Sequence, residues 1–314
     1  MFSKYKYVYT VYKEQSFTRA AQKLYISQPS LSVAIQNIEK EVGAPLFERR
    51  GGKVDLTEIG REYIIAAERI LSAENDFKRK INDIYALDMG SITVGGTNYL
   101  SSYVLPRIIT GFSSLYPNIE VNLVEANSQT LGTMIKDEQI DIVVDSFDSI
   151  ADPYEGYPLI KERIFLCVPS ALPINKGLEG CRITPEIVRC GRDAIASVPC
   201  IPIERFKEES FILLKSGNDM CNRAMKIFHN GGITPKVLFS VDQLNISYAL
   251  AESGMGLCFV TDTLIKYGGI HGNVSFYNVG EESCRRTLYI AYKYGRYCTR
   301  AMRKFIETAQ KIIN

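Results

Sequence analysis

Gln28, Ser30, Ser32, Val33 and Gln36 fall within one short stretch, spaced to project from the outer face of a helix. Their chemistry suits the edges of base pairs: a glutamine amide pairs with adenine and a valine methyl meets the thymine methyl. Ser27 is a good N-cap and Pro29 sits just inside the helix start, where a missing N–H costs nothing and the exposed N–H groups favour a phosphate. Thr18, in the Ser16-Phe17-Thr18 cap before the preceding short helix, joins the same set. Arg49, Arg50 and Lys53 flank Gly51-Gly52, a placement suited to gripping a sugar-phosphate backbone. A second group of polar residues lies later in the chain: Thr97, Asn98, Tyr99, Leu100 and Ser101; Ser128, Gln129 and Thr130 after Asn127; and Ser216, Gly217 and Asn218. Each cluster follows a strand-like run and offers hydroxyl, amide or free backbone N–H groups, which together could hold a carboxylate or similar small anion. Plain helix capping explains any single cluster equally well.

The elements that must position these groups are legible. Apolar spacing predicts a helix over residues 3–14, a short one through Ala20, Ala21 and Leu24, and a third running from Pro29 to about Val42 and ending at Gly43. Two short helices joined by a tight turn make a helix-turn-helix, and the apolar runs around Gly51-Gly52 predict a β-hairpin. From Glu58 to Leu87 the apolar residues Ile59, Tyr63, Ala66, Ile70, Ala73, Phe77, Ile81 and Ile84 recur at steps of three and four, near a heptad seam. A helix of that length has no core of its own, so Ile59, Tyr63, Ala66, Ile70, Phe77 and Ile81 are expected to pair two chains. Asp88-Met89-Gly90 marks a boundary. Beyond it strands and helices alternate in two sets, which implies parallel βαβ units in two lobes.

Composition narrows the class further. Residues 1–61 hold ten Lys/Arg against six Asp/Glu, a surplus of four, whereas the whole 314-residue chain carries a formal +2. An anionic partner is therefore expected at the N-terminal end. No apolar run approaches the ~20 residues of a membrane span, and no apolar stretch follows the first six residues, so a cytoplasmic chain with no membrane partner is expected. The eight cysteines are scattered without a CxxC pair and there are two histidines, so neither a metal site nor a cofactor is expected. No phosphate loop follows a strand and no GxSxG elbow is present, so no catalytic residues are assigned. A metabolite-binding enzyme would leave the basic hairpin unexplained.

Ser16-Phe17-Thr18-x-Ala20-Ala21-x-x-Leu24-x-x-Ser27-Gln28-Pro29-Ser30-Leu31-Ser32, followed by Ile35, Ile38-Glu39, Gly43, Leu46-Phe47-x-Arg49 and Leu56-Thr57-x-x-Gly60, resembles the N-terminal signature of LysR-type transcriptional regulators. The resemblance implies an α/β chain with three parts: an N-terminal winged helix-turn-helix over residues 1–60, a linker helix over 58–88, and an effector-binding domain over 89–314. That last domain would be two-lobed, like type 2 periplasmic binding proteins, with lobe I about 89–161 and 266–314 and lobe II about 162–265. It also implies a homodimer or homotetramer, an inverted-repeat operator in double-stranded DNA, a small-molecule effector between the lobes, and RNA polymerase as a further partner. Some members sense peroxide through two cysteines of the second lobe. Here Cys190 and Cys200, with Arg189 and Arg192 nearby, are the residues such a redox reading would use.

Overall fold

The computed structural model describes residues 3–50, 53–85, 90–147, 153–269, 272–280 and 282–313. The Gly51-Gly52 turn, and Leu87, Asp88 and Met89 at the expected boundary, lie outside the described residues. Contacts divide the chain into two units, Met1–Leu87 and Asp88–Asn314. Among the described residues no helix is long and apolar enough to cross a membrane.

In the first unit α1 (Ser3–Glu14), α2 (Phe17–Lys23) and α3 (Gln28–Val42) close around Val8, Val11, Ala20, Ala21, Leu31, Ile35 and Ile38. The ends of α2 and α3 have local causes. Ser16 and Ser27 cap α2 and α3, accepting from the N–H groups of Arg19 and Ser30 at 3.4 and 3.2 Å. Tyr25 turns the chain at a left-handed φ of 56°, and Gly43, at φ 82°, ends α3 as only a residue without Cβ does freely. β1 (Phe47–Arg50) and β2 (Lys53–Leu56) then pair antiparallel from Phe47–Leu56 to Arg50–Lys53. The Glu39 carboxylate accepts the N–H groups of Leu46 and Phe47 at 2.8 and 3.3 Å, tying this hairpin to α3. α4 (Glu58–Tyr85) has 28 residues, a rod of ~42 Å. Its start packs so closely on the hairpin that a Cβ on Gly60 would lie 2.0 Å from the Leu46 carbonyl oxygen.

The second unit is a two-lobed α/β body. In the first lobe β3 (Gly90–Gly96) pairs in parallel with β4 (Ile119–Glu125) and β5 (Ile142–Ser146), joined by α5 (Asn98–Tyr103), α6 (Leu105–Leu115) and α7 (Ser128–Lys136). The 16-residue strand β6 (Tyr154–Pro169) serves both lobes. β7 (Arg182–Ile183), α8 (Pro185–Cys190), α9 (Arg192–Ala196), β8 (Ser210–Leu214), α10 (Asp219–Asn230), β9 (Lys236–Val241), α11 (Leu244–Glu252), β10 (Cys258–Thr261), α12 (Asp262–Tyr267) and β11 (Val274–Tyr277) follow in the second lobe. β12 (Arg285–Lys293) then returns to pair with β5 and the first half of β6, and α13 (Arg300–Ile313) packs on α6 through Phe305 and Phe112 at 5.1 Å between ring centroids.

Two expectations need correcting. The sheets are mixed rather than parallel, because β12, β10 and β11 run antiparallel to β6. The return to the first lobe falls after Tyr277 rather than near 266, since β11 pairs with the second half of β6 and with β7.

Candidate nucleic-acid interface and effector cleft

The α2–turn–α3 pair leaves one face of α3 to solvent. Leu31 and Ile35 fill the core, while Ser27, Gln28, Pro29, Ser30, Val33 and Gln36 are exposed and Ser32 is half-buried. Thr18 is exposed on α2. Val33 is 56% exposed. The face is ordered by its own hydrogen bonds: Gln28 Nε2 donates to Ser32 Oγ at 2.8 Å, and the Ser27 and Ser30 hydroxyls share a bond of 2.7 Å. Arg49, Arg50 and Lys53 occupy the end of the hairpin ladder next to the turn; their side chains lie outside the described residues.

On α4, Ile64 and Ala67 are buried in the head. Ile59, Phe77 and Ile81 are exposed at 46, 63 and 36%, Ala66 is exposed, and Tyr63 and Ile70 are half-buried. Tyr63 stacks on Tyr5 at 5.6 Å, so that position of the expected seam is engaged within its own unit.

The three polar loops of the second unit do converge. Thr97, Asn98, Tyr99, Leu100, Ser128 and Asn218 line one cavity of about 270 Å³ between the lobes. Ser101, Gln129, Thr130, Ser216 and Gly217 do not line it. Local hydrogen bonds occupy several of these groups. Asn127 accepts the Thr130 N–H at 2.8 Å, Asn218 accepts the Met220 N–H at 2.9 Å, and the Ser101 hydroxyl turns back to the Gly96 carbonyl at 3.2 Å. Asn98 bridges the lobes, its Oδ1 accepting from Asn245 Nδ2 at 3.0 Å.

The wall also carries residues the sequence reading missed: Glu125, Asp145, Asp219, Asp242, Gln243 and Arg286. Asp145 and Gln243 obey the same rule as the loops, sitting at a strand end and a helix N-cap. Arg286 arrives on the return strand β12, and no local pattern announces it. It is held by Glu162 at 2.7 Å and Asp219 at 3.0 Å, with its side chain 6% and that of Glu162 0% exposed. Burial opposes the charge of Arg286, but Glu162 and then Asp219 raise its pKa above the ordinary guanidinium value. The Tyr99 hydroxyl donates to Glu162 and accepts from Thr261 Oγ1 at 2.8 Å. Burial and the Glu162 charge keep Tyr99 protonated. One polar chain thus runs from α5 through the β6–β12 ladder to the second lobe.

These charges run against the expected small anion. Four carboxylates line the cleft, and Arg286, its one cation among the described residues, is already committed. Burial pushes the Asp145 carboxyl up, although the Ser128 hydroxyl and the Ser146 N–H oppose this. Asp219 suffers the same burial, but Arg286 and Arg223 hold it below the usual carboxylate range. Asp242 is paired with Lys215 at 2.7 Å, and Glu125 is exposed. The cysteines of the redox reading lie elsewhere: Cys190 ends α8, Cys200 precedes β8, and both are exposed free thiols.

Two family models match the chain. "Bacterial regulatory helix-turn-helix protein, lysR family" covers residues 2–61, and "LysR substrate binding domain" covers residues 86–312. The uncharacterized HTH-type transcriptional regulator YcgK of Bacillus subtilis (strain 168) is 28% identical over 311 residues, 98% of this chain and 93% of the relative. A full-length OxyR variant from Pseudomonas aeruginosa shares the fold with a TM-score of 0.66 at 19% identity, covering 100% of this chain and 94% of that one. CbnR complexed with its target DNA does so at 0.59 and 17% identity, covering 99% of each. With a helix-turn-helix head and an effector-binding body both matched end to end, the chain belongs to the LysR family of DNA-binding transcriptional regulators.

Proposed function

We propose that the exposed face of α3 reads base edges in the major groove of an inverted-repeat operator, while Arg49, Arg50 and Lys53 on the hairpin contact the flanking phosphates. The observation that carries this reading is the polar, solvent-facing first half of α3, held rigid by a capped turn on a packed head. Two heads are needed for an inverted repeat, and the apolar stripe of α4 (Ile59, Ala66, Phe77, Ile81) supplies the pairing surface. A second apolar strip lies on edge strand β9, where Val237, Leu238 and Phe239 are 48, 47 and 38% exposed; it suits the pairing of dimers into a tetramer.

The cleft is the effector site in this reading. Its carboxylates favour a small molecule that presents an ammonium or hydroxyl donors to Asp145 and Glu125, in place of the simple anion suggested by the loops. Such a ligand closes the lobes about the β6–β12 ladder, biasing one lobe geometry over another and with it the spacing of the heads.

The test is fluorescence anisotropy of the full chain on duplexes selected from a random pool. Arg50→Ala weakens binding to all duplexes alike and shallows the salt slope by about 1. Gln28→Ala flattens the preference between duplexes, with a discrimination loss of about 1–3 kcal/mol. An unchanged ranking of duplexes after Gln28→Ala refutes the assignment of α3. For the cleft, calorimetric titration with a primary amine, an amino acid and a dicarboxylate should show heat with the first two and none with the third.

A further inference from the structure

On the other side of Arg286 lies a larger cavity, about 760 Å³, whose chemistry is the reverse of the cleft. Lys161, Arg163, Arg192, Lys226 and Arg285 line it, and none has a carboxylate partner among the described residues. The two remaining guanidinium groups, Arg223 and Arg286, are balanced by Asp219 and Glu162. Glu282 is the one other carboxylate in the lining.

The strand register crowds two of these cations. Lys161 and Arg163 are two residues apart on β6 and therefore share a face. The register sets Arg285 of β12 directly opposite Arg163, and Thr287 opposite Lys161. Like charges directly opposite on antiparallel strands destabilise the pair. The position is nevertheless fixed: Arg223 Nη1 donates to the Arg285 carbonyl at 2.9 Å, pinning the end of β12 against α10. Hydroxyl donors are at hand on Ser283 and Thr287. A concave wall that holds opposed cations in register is relieved by a bound anion, and forked guanidinium groups suit phosphate oxygens in particular.

We infer that this cavity is a second ligand site, distinct from the cleft, and that it takes a small organic bisphosphate. The charge supports two phosphates rather than one. Among the described lining residues, five unpaired cations against Glu282 leave a surplus of four, and two phosphate monoesters carry about −3 to −4 at neutral pH. Because Arg286 and Glu162 border this cavity and Arg286 also borders the cleft, occupancy here bears on the strands about which the lobes close.

The test is isothermal titration of the full chain with a hexose bisphosphate, a nucleoside diphosphate and inorganic pyrophosphate, each against chloride of equal ionic strength. Saturable binding of the hexose bisphosphate or the nucleoside diphosphate, lowered about 100-fold in the Arg163→Gln/Arg285→Gln variant, is the expected result. The hexose and nucleoside arms show which scaffold carries the phosphates. The same variant, without ligand, should melt at a higher temperature than the parent, since the opposed charges are gone. A misfolded variant would melt lower, and the single Lys161→Gln variant then carries the binding test. No saturable binding in any arm, saturable binding of pyrophosphate alone, or binding unaffected by the substitutions would each overturn the assignment.

Discussion

Replacing Arg286 with Met tests the central polar chain of the effector-binding unit. The guanidinium is 2.7 Å from Glu162 and 3.0 Å from Asp219, and the Glu162 side chain is fully buried. Asp219 keeps Arg223 at 2.8 Å, so it is not stranded. Among the described residues, Glu162 then keeps the Tyr99 hydroxyl alone as donor. An uncompensated buried carboxylate of this kind costs about 3–5 kcal/mol. In a unit of this size each kcal/mol moves the midpoint by about 2–4 °C, so calorimetry of the full chain should show the matching transition lowered by about 6–20 °C. Glu162→Gln/Arg286→Met should recover about 2 kcal/mol or more, because the neutral amide still accepts from Tyr99 and needs no counter-charge. A shift of less than about 3 °C in the single variant, or a double variant no more stable than the single, would refute the view that this pair is a mutually dependent buried unit.

The remaining predictions address other parts of the chain. Gly60→Ala should destabilise the head by about 2–3 kcal/mol in denaturant titration, since its Cβ would meet the Leu46 carbonyl at 2.0 Å and break the 3.0 Å bond from Thr57 N–H to that oxygen. Phe77→Asp should shift the assembly toward monomer in light scattering, because it places a charge on the exposed seam of α4; an unchanged mass would remove α4 from the interface. Burial, then the charge of Glu162, pushes Asp262 up to about 7. Its folded pKa is raised, so its contribution is fully present below about 4 and is lost as pH rises through about 7. Asp145, raised in the same direction, adds to that loss. Stability should therefore fall across this window in the parent, and fall less in Asp262→Asn.

The head was nearly complete in the sequence because its determinants are local. Serine caps at 16 and 27, Pro29, Gly43 and the apolar spacing of Leu31, Ile35 and Ile38 each act within a turn or two, and they fix both the helices and the face left outside. The apolar spacing of α4 was legible for the same reason, although Tyr63 is occupied by Tyr5 through a contact that helical spacing does not encode. The loops at 97–100, 128 and 218 were found because a strand followed by a helix start is a local pattern.

By itself, then, the sequence determined which helices form the head, which face of α3 is bare, and that two α/β lobes follow. Only the tertiary structure decided the electrostatics. Arg286 meets Glu162 across 124 residues and Arg285 meets Arg163 across the same ladder. The antiparallel return of β12 sets Arg286 between the two cavities and Arg285 on the wall of the basic one. Coulomb interactions depend on distance in space and on burial, and neither is written in the spacing of residues along the chain.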